Sequence, residues 1–343
     1  MKTKQNQKLL FFDSTLRDGS HAIAHQLSQQ NIRDYCKVID QAGLEVVIVG
    51  HGNGLGASSL QVGLSALTDR VMLKTARREL KRTKLGVYLI PGFGTIKDDL
   101  DPVLKIGVDL VCVGCHCTEA DTTYQHIGYV RAAGREAYGV LMMYHMVTKE
   151  VVLKEALKMQ EYGAQGVILM DSAGASTPQM VKETVQLLVD KLNVRVGFHA
   201  HNNLALAVSN SVLALEAGAT IIDGTARGFG AGAGNCPQEV LVGLLTKIGI
   251  KTGLDLYKLM DASDLIATIQ LKPQEISSES LSSGLSGVFS AFGPHVKRAA
   301  EKFKVDPRDI FEELGRRKMV AGQEDFIVDI AVKLAKQQGK HQS

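Results

Sequence analysis

Tryptophan is absent from the 343 residues, and aromatic side chains make up only 5% of them. Charge is nearly cancelled: 39 Lys and Arg against 36 Asp and Glu leave +3. So small and dispersed a charge excludes the electrostatic footprint of a nucleic-acid-binding protein. Long apolar runs are also missing. After a polar start, Leu9-Leu10-Phe11-Phe12 stops at Asp13. That is too short for a secretory core and far short of a membrane span, so a cytoplasmic protein without membrane association is expected. The five cysteines (Cys36, Cys112, Cys115, Cys117, Cys236) are odd in number and unevenly spaced, as reduced cytosolic thiols are. Proline, at 7 residues, is not in excess, whereas glycine, at 34, is. Extra glycine alone points to many tight turns and excludes a collagenous or disordered chain.

What the chain does have is a rhythm. Eight short β-rich apolar runs lie at 9–13, 44–50, 85–91, 108–114, 137–143, 166–170, 194–198 and 220–223. Helical periodicity separates them near 28–42, 68–82, 119–133, 149–162, 177–192 and 203–217, with a shorter stretch near 96–104. Glycine follows several of these helices, as at Ala42-Gly43, Tyr162-Gly163 and Ala217-Gly218, and Thr177-Pro178 opens another. Strands alternating with helices call for parallel pairing, and eight such units predict a (β/α)8 barrel, an α/β fold. A six- or seven-stranded open sheet is the alternative. The rhythm stops near residue 265. Beyond a Ser/Gly-rich stretch at 272–290, helices are expected at 294–304, 306–317 and 323–338. The expected division is therefore a barrel over 1–265 and a helical module over 266–343.

In a parallel barrel the chemistry lies at the C-terminal strand ends. Those ends carry Arg17, Asp18 and His21, then His51, His116, His145, Asp171 with Ser172, and His199 with His201. Residues two apart on a strand share a face, so His199 and His201 enter one lumen, a spacing suited to two ligands of one metal. A hydrogen-bonded histidine pair at a strand end is the competing structural reading. Asp18 adds a carboxylate, and two imidazoles with one carboxylate and open positions suit a six-coordinate ion such as Mn²⁺ better than structural zinc. Other metal patterns are weaker: no Glu follows His21 in the pair His21/His25, and Cys115-His116-Cys117 has no second ligand pair. No lysine stands at a strand end, which disfavours a Schiff-base aldolase. The loop Gly228–Asn235 lacks the Lys and Ser/Thr of a phosphate loop and reads as a turn that lets backbone approach the site.

Thr-Leu-Arg-Asp-Gly at 15–19 resembles the opening motif of the metal-dependent barrels that include hydroxymethylglutaryl-CoA lyase and isopropylmalate synthase. His-Ala-Ile-Ala-His-Gln (21–26), His-Cys-Thr-Glu-Ala-Asp (116–121), Gly-Ala-Gly-Ala-Gly-Asn (230–235) and Gly-Arg-Arg-Lys-Met-Val-Ala-Gly-Gln-Glu-Asp (315–325) resemble one branch more closely. That branch is the 4-hydroxy-2-oxovalerate aldolase family, class II pyruvate aldolases of bacterial aromatic degradation, and the likeness runs almost end to end. It implies Asp18, His199 and His201 as ligands of Mn²⁺ or another divalent ion. It implies His21 as the base for the C4 hydroxyl, Arg17 as the group stabilising the developing enolate, and Ser172 as a substrate contact. The products implied are pyruvate and a short aldehyde, acetaldehyde in the parent reaction. It also implies an acylating acetaldehyde dehydrogenase partner, which receives the aldehyde and docks through the helical tail. Two positions depart from the family pattern: Phe289 replaces a substrate-binding Tyr and lacks its hydroxyl, and Asn202 stands where a third His is common. The alternatives are a Claisen-type acyl-CoA lyase or synthase, for which no CoA site is apparent, and a non-catalytic scaffold for a dehydrogenase.

Overall fold

The computed structural model describes residues 8–270, 272–320 and 322–341; the polar stretch before Lys8 lies outside the described residues. The strands are β1 (Leu10–Asp13), β2 (Val46–Ile48), β3 (Lys84–Leu89), β4 (Leu110–His116), β5 (Glu136–Met142), β6 (Gly166–Asp171), β7 (Arg195–Ala200) and β8 (Ile221–Gly224). Each pairs in parallel with the next, and β8 pairs with β1, so the sheet closes into the eight-stranded barrel expected.

Side-chain alternation along each strand explains the closure. Phe11, Val47, Val87, Val111 and Val167 point outward to the helices, whereas Phe12, Ile48, Tyr88, Cys112, Val140 and Ile168 fill the lumen. Around the barrel run α1 (Gln29–Ile39), α2 (Asp69–Glu79), α3 (Asp101–Ile106), α4 (Tyr124–Ala132), α5 (Lys149–Glu161), α6 (Pro178–Lys191), α7 (Ala207–Glu216), α8 (Gln238–Lys247) and α9 (Leu256–Ile269). Ser28, Thr68 and Thr177 each cap a helix start with a side-chain oxygen.

Four further helices follow: α10 (Ser278–Ser286), α11 (Gly293–Phe303), α12 (Pro307–Arg316) and α13 (Asp325–His341). Val296, Ile310, Phe311, Leu314, Ile327 and Ile330 form an apolar cluster of their own there. Polar contacts fasten this part to the mouth of the barrel. Ser290 donates from its backbone and its Oγ to the Ser172 carbonyl at 3.1 and 2.8 Å, and His145 Nε2 lies 3.2 Å from the Gly287 carbonyl. No helix among the described residues is long and apolar enough to cross a membrane.

Candidate active site

The turn after β1 carries Arg17 and Asp18 into a buried position over the lumen. Arg17 Nη1 donates to Asp18 Oδ1 at 2.9 Å and to the Gly52 carbonyl at 3.2 Å, while its Nη2 reaches Ser14 Oγ at 3.3 Å. Across the lumen, β7 and its exit bring in His199 and His201, their ring centroids 5.3 Å apart. One donor atom each of Asp18, His199 and His201 lies within 4.8 Å of the others, all three residues buried.

Hydrogen bonding sorts the imidazole nitrogens. His199 Nδ1 lies 2.9 Å from Asp223 Oδ2, and Ser14 Oγ donates to the same carboxylate at 2.9 Å. Among the described residues, Nε2 of His199 is buried without a partner, as is Nδ1 of His201. A carboxylate behind one ring nitrogen and an open nitrogen in front is how proteins hold a histidine for a metal. Burial opposes the charge of Asp18, but the Arg17 guanidinium and the surrounding imidazoles hold its carboxyl far below the usual range. Burial also draws His201 down to about 4, so its neutral imidazole stands beside the Asp18 anion. That donor set fits a divalent cation.

His21 stands beside this cluster, half-buried. Burial lowers its pKa, Asp18 acting against that and Arg17 with it, so the ring is neutral at pH 7. A Cβ at position 52 would lie 2.3 Å from His21 Nε2, so any larger residue there would displace the imidazole. His25 and His51 stack 3.7 Å apart behind it; burial leads the fall of both, to about 2 and about 4 respectively.

The HMGL-like family profile matches residues 8–266, and that of the DmpG-like communication domain matches 274–336. A 4-hydroxy-2-oxovalerate aldolase of Spirochaeta aurantia is 52% identical over 340 residues, 99% of each chain. Another, from Pectobacterium atrosepticum, is 53% identical over 332 residues, 96% of each. The chain belongs to this aldolase family. More distant solved structures share the fold alone. The carboxyl transferase domain of Rhizobium etli pyruvate carboxylase superposes with a TM-score of 0.81 at 16% identity, covering 98% of this chain and 62% of that one. The Bacillus subtilis HMG-CoA lyase does so at 0.69 and 22% identity, covering 82% and 98%.

The remaining expected residues of this aldolase are spread around the mouth. Ser172 is fully buried at the end of β6, where its Oγ accepts from the Met143 amide at 3.3 Å. Phe289 packs against the lumen cluster and, with His116 and Met142, lines a cavity of about 350 Å³. Its neighbour Ser290 borders a larger cavity, about 810 Å³, together with His21, His25 and Gly230. His116 therefore faces the smaller cavity together with Cys115, and both Cys115 and Cys117 are buried. Asp171 accepts the Ala175 and Ser176 amides, shaping its own loop.

Sequence reasoning missed Asn235 and Asp223. Asn235 Nδ2 donates to Asp18 Oδ2, and Gly230 is bare because a Cβ there would meet both side chains. The signal was the polar residue closing a run of glycines, which reads as a turn until the fold sets it on a carboxylate. Asp223 ends an apolar run, and the parallel register of β7 with β8 is what sets it opposite His199.

Proposed function

We propose that this chain cleaves 4-hydroxy-2-oxoacids by a metal-dependent retro-aldol reaction, with 4-hydroxy-2-oxovalerate giving pyruvate and acetaldehyde in aromatic-compound degradation. One observation carries the reading: the buried Asp18–His199–His201 donor set lies beside Arg17 and a neutral His21, in a member of this aldolase family. Asp18, His199 and His201 are the ligands in this reading, and a divalent ion held there, Mn²⁺ by preference, supplies a Lewis acid at the 2-keto group. His21 accepts the proton of the C4 hydroxyl, the C3–C4 bond breaks, and its electron pair moves toward C2. Arg17 lies where it can balance the enolate charge, and return of the proton held by His21 to C3 gives pyruvate and restores the base. Ser172 and Phe289 border the bound substrate. The barrel, residues 1–265, holds this chemistry. Residues 266–343 dock an acylating acetaldehyde dehydrogenase that takes the aldehyde, a role supported by the communication-domain match. We place the protein in the cytoplasm.

The test is pyruvate release from 4-hydroxy-2-oxovalerate, abolished by a chelator and restored by Mn²⁺. A metal-loaded protein inert toward every 4-hydroxy-2-oxoacid from five to eight carbons refutes the proposal.

A further inference from the structure

Tyr88 is the most conspicuous side chain in the lumen without an assigned task. It sits on an inward position of β3, 2% exposed, and its Oη is buried with no hydrogen-bond partner among the described residues. A buried phenol without a partner is costly, and a fold that keeps one has a use for it or a ligand to complete it. The neighbouring strand makes room for the group: a Cβ on Gly114 of β4 would lie 1.9 Å from Tyr88 Oη.

The position of the ring relates it to the chemistry. The Arg17 guanidinium lies over the Tyr88 ring, 4.7 Å from its centroid, so the aromatic face helps hold the cation beside Asp18. Arg17 Nε is likewise buried and unpartnered. The Leu55 amide donates to the Tyr88 carbonyl at 2.9 Å, tying β3 to the loop of Gly52, which receives Arg17 and abuts His21. Two vacant donors, Arg17 Nε–H and Tyr88 Oη–H, thus belong to side chains in direct contact with each other. Phe289, at the rim of the same apolar cluster, has no hydroxyl to offer.

From this geometry we propose that Tyr88 is a further catalytic residue, donating its phenolic hydrogen bond to an oxygen of the pyruvate half of the substrate beside Arg17. The inference rests on the aldolase reading and extends it by one named donor. Burial raises the phenol's pKa far above its ordinary value, so the group stays protonated and serves as a donor throughout the working pH range.

Tyr88→Phe tests this cleanly, because it keeps the ring beneath Arg17 and removes only the hydroxyl. Three readouts are compared in the metal-loaded enzyme: kcat/KM for pyruvate release, affinity for oxalate as a mimic of the pyruvate enolate, and Tm. The expected result is a loss of kcat/KM of about tenfold to a hundredfold and oxalate binding weakened about fivefold or more, with Tm unchanged or raised because an unsatisfied polar atom is gone. A variant that keeps both kcat/KM and oxalate affinity within about twofold of the parent overturns the proposal. So does a lower Tm with unchanged oxalate affinity, since that outcome makes the hydroxyl structural. A parent enzyme that releases no pyruvate fails the aldolase reading instead, and oxalate affinity then still judges Tyr88.

Discussion

Single atoms separate the tasks of the three site histidines. His199 is pinned through Nδ1 to Asp223, and His201 sits with Nε2 3.9 Å from Asp18 Oδ2, both inside the donor cluster. His21 stands outside it. His201→Ala is therefore expected to lose metal affinity, whereas His21→Ala keeps the metal and loses turnover by about a hundredfold or more. Calorimetric metal titration beside steady-state kinetics separates the two, and equal metal loss in both variants contradicts the assignment. The pH profile follows from the same residue. Burial lowers His21 below the ordinary imidazole value of ~6.5, so the acid limb of kcat/KM, which reports the free enzyme, lies below that value. The sign is fixed: protonation removes the base, so activity rises with pH through this limb and is level above it. An acid limb centred above pH 7 excludes His21 as the base.

Elements were legible in the sequence where a local pattern forced them. The eight strands showed because each is a short, largely apolar run; Asp13 and Asp171 close two of them with a polar residue. Three helices did not show. Helix α10 reads as a Ser/Gly loop, yet a reciprocal pair of hydrogen bonds between Ser277 and Ser280 starts it. Helix α8 follows Pro237 with no side-chain cap, and α9 lies where the strand rhythm has already ended. The shared face of His199 and His201 was readable from period two alone, whereas Asp223 needed the β7–β8 register and Asn235 the fold of the loop after β8 to reach their partners. The junction of β1 with α1 hid another feature. There the Asp13 carboxylate accepts from the Thr15 amide at 2.8 Å and from Tyr35 Oη at 2.7 Å. Burial outweighs these bonds and raises its pKa to about 6, above the ordinary ~3.9 of an unfolded chain. The folded state thus binds the proton more tightly, so this group's stabilisation is complete below about pH 4 and is lost as pH rises through 6, about 3 kcal/mol at most. Asp13→Asn should remove that slope. Denaturant unfolding of both proteins at pH 4.5 and 7.5 checks it, and identical slopes dismiss the role of Asp13.

At the scale of the whole molecule, one buried amide links the barrel loops to the tail. Asn203, at the exit of β7 two residues after His201, donates through Nδ2 to the Ala173 carbonyl and to Ser290 Oγ, both at 2.9 Å. Its Oδ1 accepts the Ala233 amide at 2.9 Å. It therefore joins three segments: the loop after β6, the glycine-rich loop whose Asn235 holds Asp18, and the tail just beyond Phe289. Ser290 adds its two bonds to the Ser172 carbonyl, and His145 Nε2 lies against the Gly287 carbonyl. Removing the amide strands a buried N–H and a buried carbonyl, so Asn203→Ala should cost about 2–4 kcal/mol. The loss should be local. Amide exchange is expected to quicken in α10–α13 and in residues 228–235 while β2–β5 keep their protection, and metal affinity should fall modestly as Asn235 loosens its hold on Asp18. Uniformly faster exchange across the barrel, or a tail as protected as before, would mean that Asn203 does not couple the two parts.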